Sequence, residues 1–128
     1  MAGTRRVRIL LVEDEDDILT VMSKGLSKFG FEVKAYGDPV KALSEYRPGE
    51  FDLLLLDYKM PGIDGFELYR RIRDMDNDVK VCFLSAAVSS YRNEMQARAA
   101  DFEAKYMIEK PIGIVELVKQ INLILGSP

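Results

Sequence analysis

Five short apolar runs alternate along the chain with longer segments of helical spacing, and this alternation restricts the possible folds more than any other feature. The runs cover residues 7–12, 31–36, 53–56, 79–84 and about 106–108. Consecutive strands separated by helices join through right-handed crossovers, which makes the strands parallel. The third run is apolar at every position, as is typical of a central strand covered on both faces. The pattern therefore predicts an α/β fold with a parallel sheet of five strands.

The segments between the runs carry helix signals of their own. In the first, apolar side chains recur mostly every three or four residues until Gly30 ends the pattern. Asp38 and Pro39 suit the cap and the first turn of a second helix. A polar helix is predicted at about residues 89–100, and a last helix follows Pro111. The positions expected to face the core in the first two helices are Ile18, Leu19, Met22, Leu26, Phe29, Val40, Leu43 and Tyr46.

Length and composition limit the class of protein. The 128 residues fit a single domain over 1–128 with a core from about 6 to 125. A net charge of -3 argues against a nucleic-acid surface, and no apolar stretch approaches the roughly 20 residues of a membrane span. The chain contains no histidine, which excludes a histidine-based triad or phosphocarrier within it, and Cys82 has no second cysteine to pair with. We expect a cytoplasmic domain without membrane insertion or direct nucleic-acid binding.

Acidic, hydroxyl and lysine side chains follow four of the five runs. Glu13 and Asp14 come after the first, Asp57 after the third, Ser85 after the fourth and Lys110 after the fifth. The carboxyl ends of parallel strands meet at one edge of the sheet, near the point where the strand order reverses. If the first and third strands are neighbours, these side chains converge in one cleft.

Three carboxylates in one cleft need a compensating cation. A hard divalent ion such as Mg2+ prefers oxygen ligands and needs only one or two protein carboxylates. We expect Asp14 and Asp57 to bind it directly, with the backbone carbonyl of Lys59 as a third protein ligand and Glu13 acting through a bound water.

A carboxylate beside Mg2+ and a lysine is also a credible nucleophile toward phosphorus. Asp57 holds that position and would form an acyl phosphate, while Lys110 neutralises charge on the phosphoryl oxygens. Ser85 would donate a hydrogen bond to the phosphate, and the loop after the fourth strand would shift to allow this contact. A switch in conformation is the expected output.

Each of these residues alone has a simpler explanation. Acidic runs such as the one at 13–17 often do no more than cap a helix and interact favourably with its dipole. This is the role expected for Asp16 and Asp17. An isolated aspartate after a strand is more often a turn residue, and an isolated lysine is usually solvated. Their joint occurrence at the right ends of four strands favours the phosphoryl-transfer site.

The motifs ILLVED at 9–14, DLLLLD at 52–57, MPG at 60–62 and EKP at 109–111 resemble those of response-regulator receiver domains of the CheY-like type. The resemblance covers residues 6 to 125. It implies a flavodoxin-like (βα)5 doubly wound sheet of order 2-1-3-4-5, Mg2+ dependence, slow self-dephosphorylation and a cis bond before Pro111. It also implies phosphoryl transfer to Asp57 from the phosphohistidine of a sensor histidine kinase or phosphotransfer protein. Signalling to a downstream effector or fused output domain would use the predicted helix at 89–100, the fifth strand and the last helix.

Two departures from the family pattern concern this signalling face. Met107 stands where relatives usually have tyrosine or phenylalanine, three residues before the lysine, and Tyr106 is expected to point to the opposite face of its strand. Methionine could fill the space vacated by a moving loop without a ring flip. We therefore assign Ser85 and Met107 as the switch residues. Residues 101–105 lack the usual glycine-alanine turn and could extend the preceding helix.

Two other functions are compatible with parts of the pattern. A degenerate receiver would bind partners without phosphorylation, but the retained set of Asp14, Asp57, Ser85 and Lys110 argues against it. A Mg2+-dependent phosphatase with an aspartate nucleophile would normally have a second acid two residues after Asp57, where Lys59 stands. We expect no enzymatic activity beyond self-phosphorylation and self-dephosphorylation.

Overall fold

A five-stranded parallel sheet organises the computed structural model, which describes residues 6–86, 93–94, 97–98 and 106–126. The strand order is β2-β1-β3-β4-β5, so the predicted α/β fold and the order 2-1-3-4-5 are confirmed. The strands are β1 (Arg8–Val12), β2 (Glu32–Tyr36), β3 (Leu53–Asp57), β4 (Lys80–Ser85) and β5 (Met107–Glu109). The helices are α1 (Asp16–Lys28), α2 (Pro39–Glu45), α3 (Gly65–Arg73) and α4 (Ile114–Leu125).

Between β4 and β5, only four residues of the predicted polar helix at 89–100 are described, and all four are helical. They are Asn93, Glu94, Ala97 and Arg98. The remainder of that helix, and the segment 101–105 that departs from the family pattern, lie outside the described residues.

Two apolar clusters cover the two faces of the sheet. Leu54 and Leu56 belong to the cluster that includes Phe66 and Phe83, whereas Leu53 and Leu55 belong to the other. Side chains alternate between faces along a strand, so a strand with helices on both sides is apolar throughout. All five residues of β3 are buried, as the unbroken leucine run predicts.

Local signals position the helices. The Asp38 side chain accepts a hydrogen bond from the backbone N–H of Val40, and Pro39 begins α2, as the sequence predicts. Val40 itself is 58% exposed, so the prediction that it faces the core is wrong. Its place in the core is taken by Ala42, two residues further along the helix.

Phe29 is a second error in the predicted core, because its side chain is 51% exposed. The helical periodicity that predicted its burial ends with α1 at Lys28, and Phe29 is the C-cap residue. The other predicted core positions in α1 are buried or partly buried. Among the described residues, no helix combines the length and the apolar character that crossing a membrane requires.

Candidate functional site

Acidic side chains meet at the carboxyl edge of the sheet because β1 and β3 are adjacent. Glu13 and Asp14 follow β1, and Asp57 is the last residue of β3. Each contributes a carboxylate oxygen to a group whose atoms all lie within 4.8 Å of one another. Glu13 is fully buried and Asp57 is only 4% exposed. Three acids are therefore close together, and Asp14 is the one that remains partly exposed to solvent.

Lys110 reaches this acidic group from the loop after β5. Its Nζ lies 2.8 Å from Glu13 Oε1 and 3.2 Å from Asp57 Oδ1. The second oxygen of Glu13 accepts a hydrogen bond of 3.1 Å from the backbone N–H of Glu15. Both Glu13 oxygens are thus engaged by the protein. The peptide bond between Lys110 and Pro111 is cis, as the sequence resemblance implies.

The charges of this group perturb one another. Burial, together with the nearby charge of Glu13, raises the pKa of Asp57 to about 8, although Lys110 opposes the shift. Burial alone would lower the pKa of Lys110, but its hydrogen bond to Glu13 and the charge of Asp57 raise this pKa overall. Lys110 therefore remains a cation, and one lysine does not fully offset the repulsion among the carboxylates.

Ser85 ends β4 beside the acidic group and is 2% exposed. Its carbonyl accepts a hydrogen bond of 2.8 Å from the backbone N–H of Lys110. The preceding carbonyl, of Leu84, accepts one of 2.7 Å from the N–H of Tyr58. The end of β4 is thus tied on one side to the Lys110 loop and on the other to the residue after Asp57.

Met107 pairs with Phe83 in the sheet and packs against the same apolar cluster. Tyr106 packs against the cluster on the other face, as predicted. The residue at the usual aromatic position thus contacts the α3 side of the sheet through a flexible thioether. The neighbouring aromatic ring, that of Tyr106, cannot take the place of Met107 because it packs on the other face of the sheet.

The loop that follows Asp57 returns close to it at the start of α3. The backbone N–H of Gly65 donates a 2.8 Å hydrogen bond to the carbonyl of Tyr58. A Cβ atom at position 65 would overlap with the carbonyl of Asp57, so only glycine permits this approach. Gly62 has a φ of 85°, which also favours glycine. The backbone around Asp57 is therefore closely constrained.

Arg98 is a residue of this region that the sequence reasoning missed. Its guanidinium contacts Tyr58 and Asp64 in the loop after Asp57 and lies 4.3 Å from the centroid of the Phe66 ring. An arginine in a polar helix usually remains solvated, so its sequence context gives no signal of these contacts.

All predicted acids of the metal site offer oxygen ligands, which suits a hard divalent cation. Asp14 and Asp57 are members of the group, and the two Glu13 oxygens accept hydrogen bonds from Lys110 Nζ and Glu15 N–H. The action of Glu13 through a bound water stays a prediction. The participation of the Lys59 carbonyl stays a prediction. A cavity of about 440 Å³ adjoins Lys110, with lining residues that include Ile18, Val21, Met22 and Ile112.

Comparison with known proteins gives one consistent result. Transcriptional regulatory protein PrrA of Mycobacterium tuberculosis is 36% identical over 126 residues, which make up 96% of this chain and 52% of that protein. The chain thus spans about half the length of this relative. Response regulator receiver protein CpdR of Brucella abortus is 32% identical over 118 residues, covering 92% of this chain and 96% of that protein.

Solved structures agree with the sequence relatives. Response regulator protein TrrA from Thermotoga maritima, solved in complex with Mg2+-BeF, is 30% identical with a TM-score of 0.78, covering 92% of this chain and 98% of that chain. The response regulator receiver domain family itself matches residues 9–122. This match includes Glu13, Asp14, Asp57, Ser85 and Lys110. With its fold, its sequence relatives and its family match in agreement, the chain belongs to the family of response regulator receiver domains.

Proposed function

We propose that this receiver domain is a phosphorylation switch whose acceptor is Asp57. One observation carries the proposal: a carboxylate only 4% exposed lies 3.2 Å from Lys110 Nζ and within an acidic group suited to a divalent cation. Such a carboxylate is shielded from water and adjoins the positive charge that a phosphoryl group requires. The residues 1–128 act as one domain in this proposal.

In the proposed transfer, a carboxylate oxygen of Asp57 forms a bond to phosphorus. The P–N bond of a partner's phosphohistidine breaks, and its electron pair leaves with the imidazole nitrogen. The donor imidazole must come from another protein because this chain has no histidine. Lys110 neutralises a phosphoryl oxygen, and Ser85 donates its hydroxyl to another. Positioning and electrostatics supply most of the rate.

Mg2+ fits the oxygen donors, and Asp14, Asp57, the Lys59 carbonyl and Glu13 through water would hold it. The ion supplies positive charge next to the phosphoryl oxygens. The chain's own contribution is the rigid edge of the sheet that holds the acids together. The complex of TrrA with Mg2+-BeF supports this cofactor for a related domain.

The proposed partners are a sensor histidine kinase or phosphotransfer protein upstream and an effector or fused output domain downstream. The length of PrrA relative to this chain is compatible with a fused output domain, whereas CpdR is of similar length to the chain. A cytoplasmic location suits such partners. The domain would neither bind nucleic acid directly nor insert into a membrane.

Enzymatic activity would be limited to self-phosphorylation and self-dephosphorylation. A phosphatase of the aspartate type would need a second acid where Lys59 stands. A degenerate, phosphorylation-independent receiver has no need for the buried Asp57 and Lys110 pair. One stoichiometric phosphoryl uptake, without turnover of small phosphorylated substrates, would distinguish the switch from both alternatives.

Incubation with a small acyl phosphate and Mg2+ should add one phosphoryl group, located at Asp57 by mass spectrometry. Asp57→Asn should abolish this label, and excess chelator should suppress it. Asp78→Asn is the matched control, since Asp78 is an exposed aspartate outside the acidic group. Full labelling of Asp57→Asn, or labelling unaffected by chelator, would show that the assignment is wrong.

Met107 is proposed as a switch residue whose flexible side chain adapts to movement of the loop after Ser85. It would do so without the discrete rotamer change of an aromatic ring. Met107→Tyr should change partner affinity, or its dependence on phosphorylation, by restoring an aromatic ring opposite Phe83. Mg2+ affinity should stay nearly unchanged because residue 107 is not part of the acidic group. Binding measured with both phosphorylation states of both proteins tests this. Identical coupling would make Met107 an ordinary core residue.

A further inference from the structure

Arg98, one of the described helical residues between β4 and β5, contacts the loop that follows Asp57. Its Nη1 donates hydrogen bonds of 3.1 Å to the Tyr58 hydroxyl and 2.9 Å to Asp64 Oδ2. Its Nη2 donates one of 3.3 Å to Asp64 Oδ1. The guanidinium also lies over the Phe66 ring, 4.3 Å from its centroid. A planar guanidinium that bridges two carboxylate oxygens and stacks on a ring is highly specific in orientation.

The contacts of Arg98 are sheltered from solvent. Its side chain is 28% exposed, that of Asp64 is 23% exposed, and Tyr58 is fully buried. Burial acts to raise the pKa of Asp64, but the hydrogen bonds from Arg98 and from the N–H of Glu67 lower it overall. The ion pair is therefore formed at neutral pH and is stronger than a fully solvated one.

Two structural routes lead from this contact to the phosphoacceptor. Tyr58 directly follows Asp57, and its N–H is bonded to Leu84, the residue before Ser85. Asp64 caps α3 by accepting a 2.8 Å hydrogen bond from Glu67 N–H. Arg98 therefore contacts both ends of the loop between Asp57 and α3. The helical turn that carries it also follows Ser85 along the chain.

We propose that Arg98 is a conformational latch, which holds the helical residues 93–94 and 97–98 against the loop between Asp57 and α3 and opposes the change that follows phosphorylation. The inference rests on the proposed function, since it requires Ser85 to move toward a phosphoryl group on Asp57. Such a movement displaces the chain after Ser85 relative to Tyr58 and Asp64. The contacts of Arg98 with both residues must then loosen or break.

A latch of this kind affects ligand affinity in a definite direction. Interactions made only in the observed arrangement must be given up when a phosphoryl mimic favours the other arrangement. Removing those interactions lowers the free-energy cost of reaching the other arrangement, so binding of the mimic should tighten. Loss of Arg98 should therefore favour the response to phosphorylation, while also lowering the stability of the observed arrangement.

Beryllofluoride with Mg2+ is the probe, and its affinity is measured for the full chain. Arg98→Met keeps an apolar stem against Phe66 but lacks the guanidinium, and should bind roughly fivefold more tightly or better. Tyr58→Phe removes one hydroxyl and should bind about two- to threefold more tightly. Before the probe is added, hydrogen exchange in peptides containing positions 94 and 98 should be faster in Arg98→Met than in the wild type. Adding the probe should change this exchange rate less in the variant.

Arg71→Gln is the matched control, because Arg71 forms its ion pair with Glu67 within α3, with 2.8 Å between Arg71 Nε and Glu67 Oε2. Its affinity should equal that of the wild type. If Arg98→Met does not fold, Tyr58→Phe and Asp64→Asn carry the test, since asparagine can still cap α3. Unchanged or weaker binding in the folded variants would overturn the latch. Failure of the wild type to bind the probe would instead contradict the proposed function.

Discussion

Glu13 has a second role at the scale of single residues, beyond any contribution to a metal site. Its carboxylate is fully buried, and its two oxygens accept hydrogen bonds from Lys110 Nζ and from Glu15 N–H. A buried carboxylate is tolerated because both of these donors compensate for lost hydration. Glu13 thereby positions Lys110 beside Asp57 and also places a negative charge near it.

Glu13→Gln should lower the pKa of Asp57 from about 8 toward the ordinary value near 3.8. The substitution removes a negative charge that raises this pKa, and it leaves Lys110 with Asp57 as its remaining carboxylate among these contacts. Carboxyl-carbon NMR titration of Asp57 with chelator present measures the effect.

Asp17→Asn provides the control for Glu13→Gln. Asp17 is an exposed acid in the first turn of α1, so its substitution removes the same charge without altering the contacts of Lys110. The titration of Asp57 should stay within a few tenths of a unit of the wild type in this variant. An equal shift in both variants would mean that net charge, rather than the Glu13 contact, controls Asp57.

At the scale of elements, the junction of β3 and α3 determines where Asp57 can lie. Asp64 caps α3, and Gly65 approaches the Asp57 carbonyl too closely for any side chain. The N–H of Gly65 also bonds to the carbonyl of Tyr58. The start of the helix is thus packed against the end of the strand. The position of Asp57 depends on both elements.

Gly65→Ala should destabilise the fold by about 1–3 kcal/mol and weaken beryllofluoride binding, because the added methyl group forces the helix away from the Asp57 backbone. Chemical denaturation and probe binding measure the two effects. Gly37→Ala is the matched control, since a Cβ there has no neighbour closer than 3.7 Å. If Gly65→Ala behaves like this control, the junction is more adaptable than its geometry indicates.

At the scale of the whole molecule, topology concentrates charge at one edge of the sheet. Glu13 and Lys110 are 97 residues apart in sequence and are brought together by the order β2-β1-β3-β4-β5. The net charge of the chain is only -3, yet three acids share this edge. A protein with a local excess of negative charge is stabilised by a cation that binds the folded state alone.

Without metal, stability should fall as the pH rises from about 4 to about 8. The pKa of Asp57 is raised from the ordinary 3.8, taken for the unfolded chain, to about 8 in the folded protein. Between these two pH values the folded protein therefore retains a proton that the unfolded chain has lost. The contribution of protonated Asp57 to stability is fully present below the unfolded pKa and is lost as the pH rises through the folded pKa. Mg2+ competes with that proton, so stabilisation by Mg2+ should grow with pH.

Thermal melts at pH 6, 7 and 8, with millimolar Mg2+ or chelator, test this dependence. Asp57→Asn should be more stable than the wild type in chelator at pH 8 and should show a smaller, flatter response to Mg2+. Other divalent sites would stabilise both proteins equally. A Mg2+ effect that is independent of pH would contradict linkage through Asp57.

Much of this protein follows from local sequence signals. The unbroken leucine run of β3 predicts a strand buried on both faces, and Asp38 with Pro39 predicts the start of α2. The acids, serine and lysine at strand ends predict one site, because parallel strands end at the same edge. Periodicity was less reliable near helix ends: Phe29 lies past the end of α1, and Val40 lies on the exposed side of the first turn of α2.

Periodicity and turn signals act over a few neighbouring residues, so they predict the strands, the helices α1 to α4 and the side chains available at the carboxyl edge. The contacts of Glu13 with Lys110 and of Arg98 with Tyr58 and Asp64 depend instead on tertiary packing. These contacts join residues up to 97 positions apart. Their formation depends on how elements pack in three dimensions, which a local pattern of apolar and charged residues does not encode.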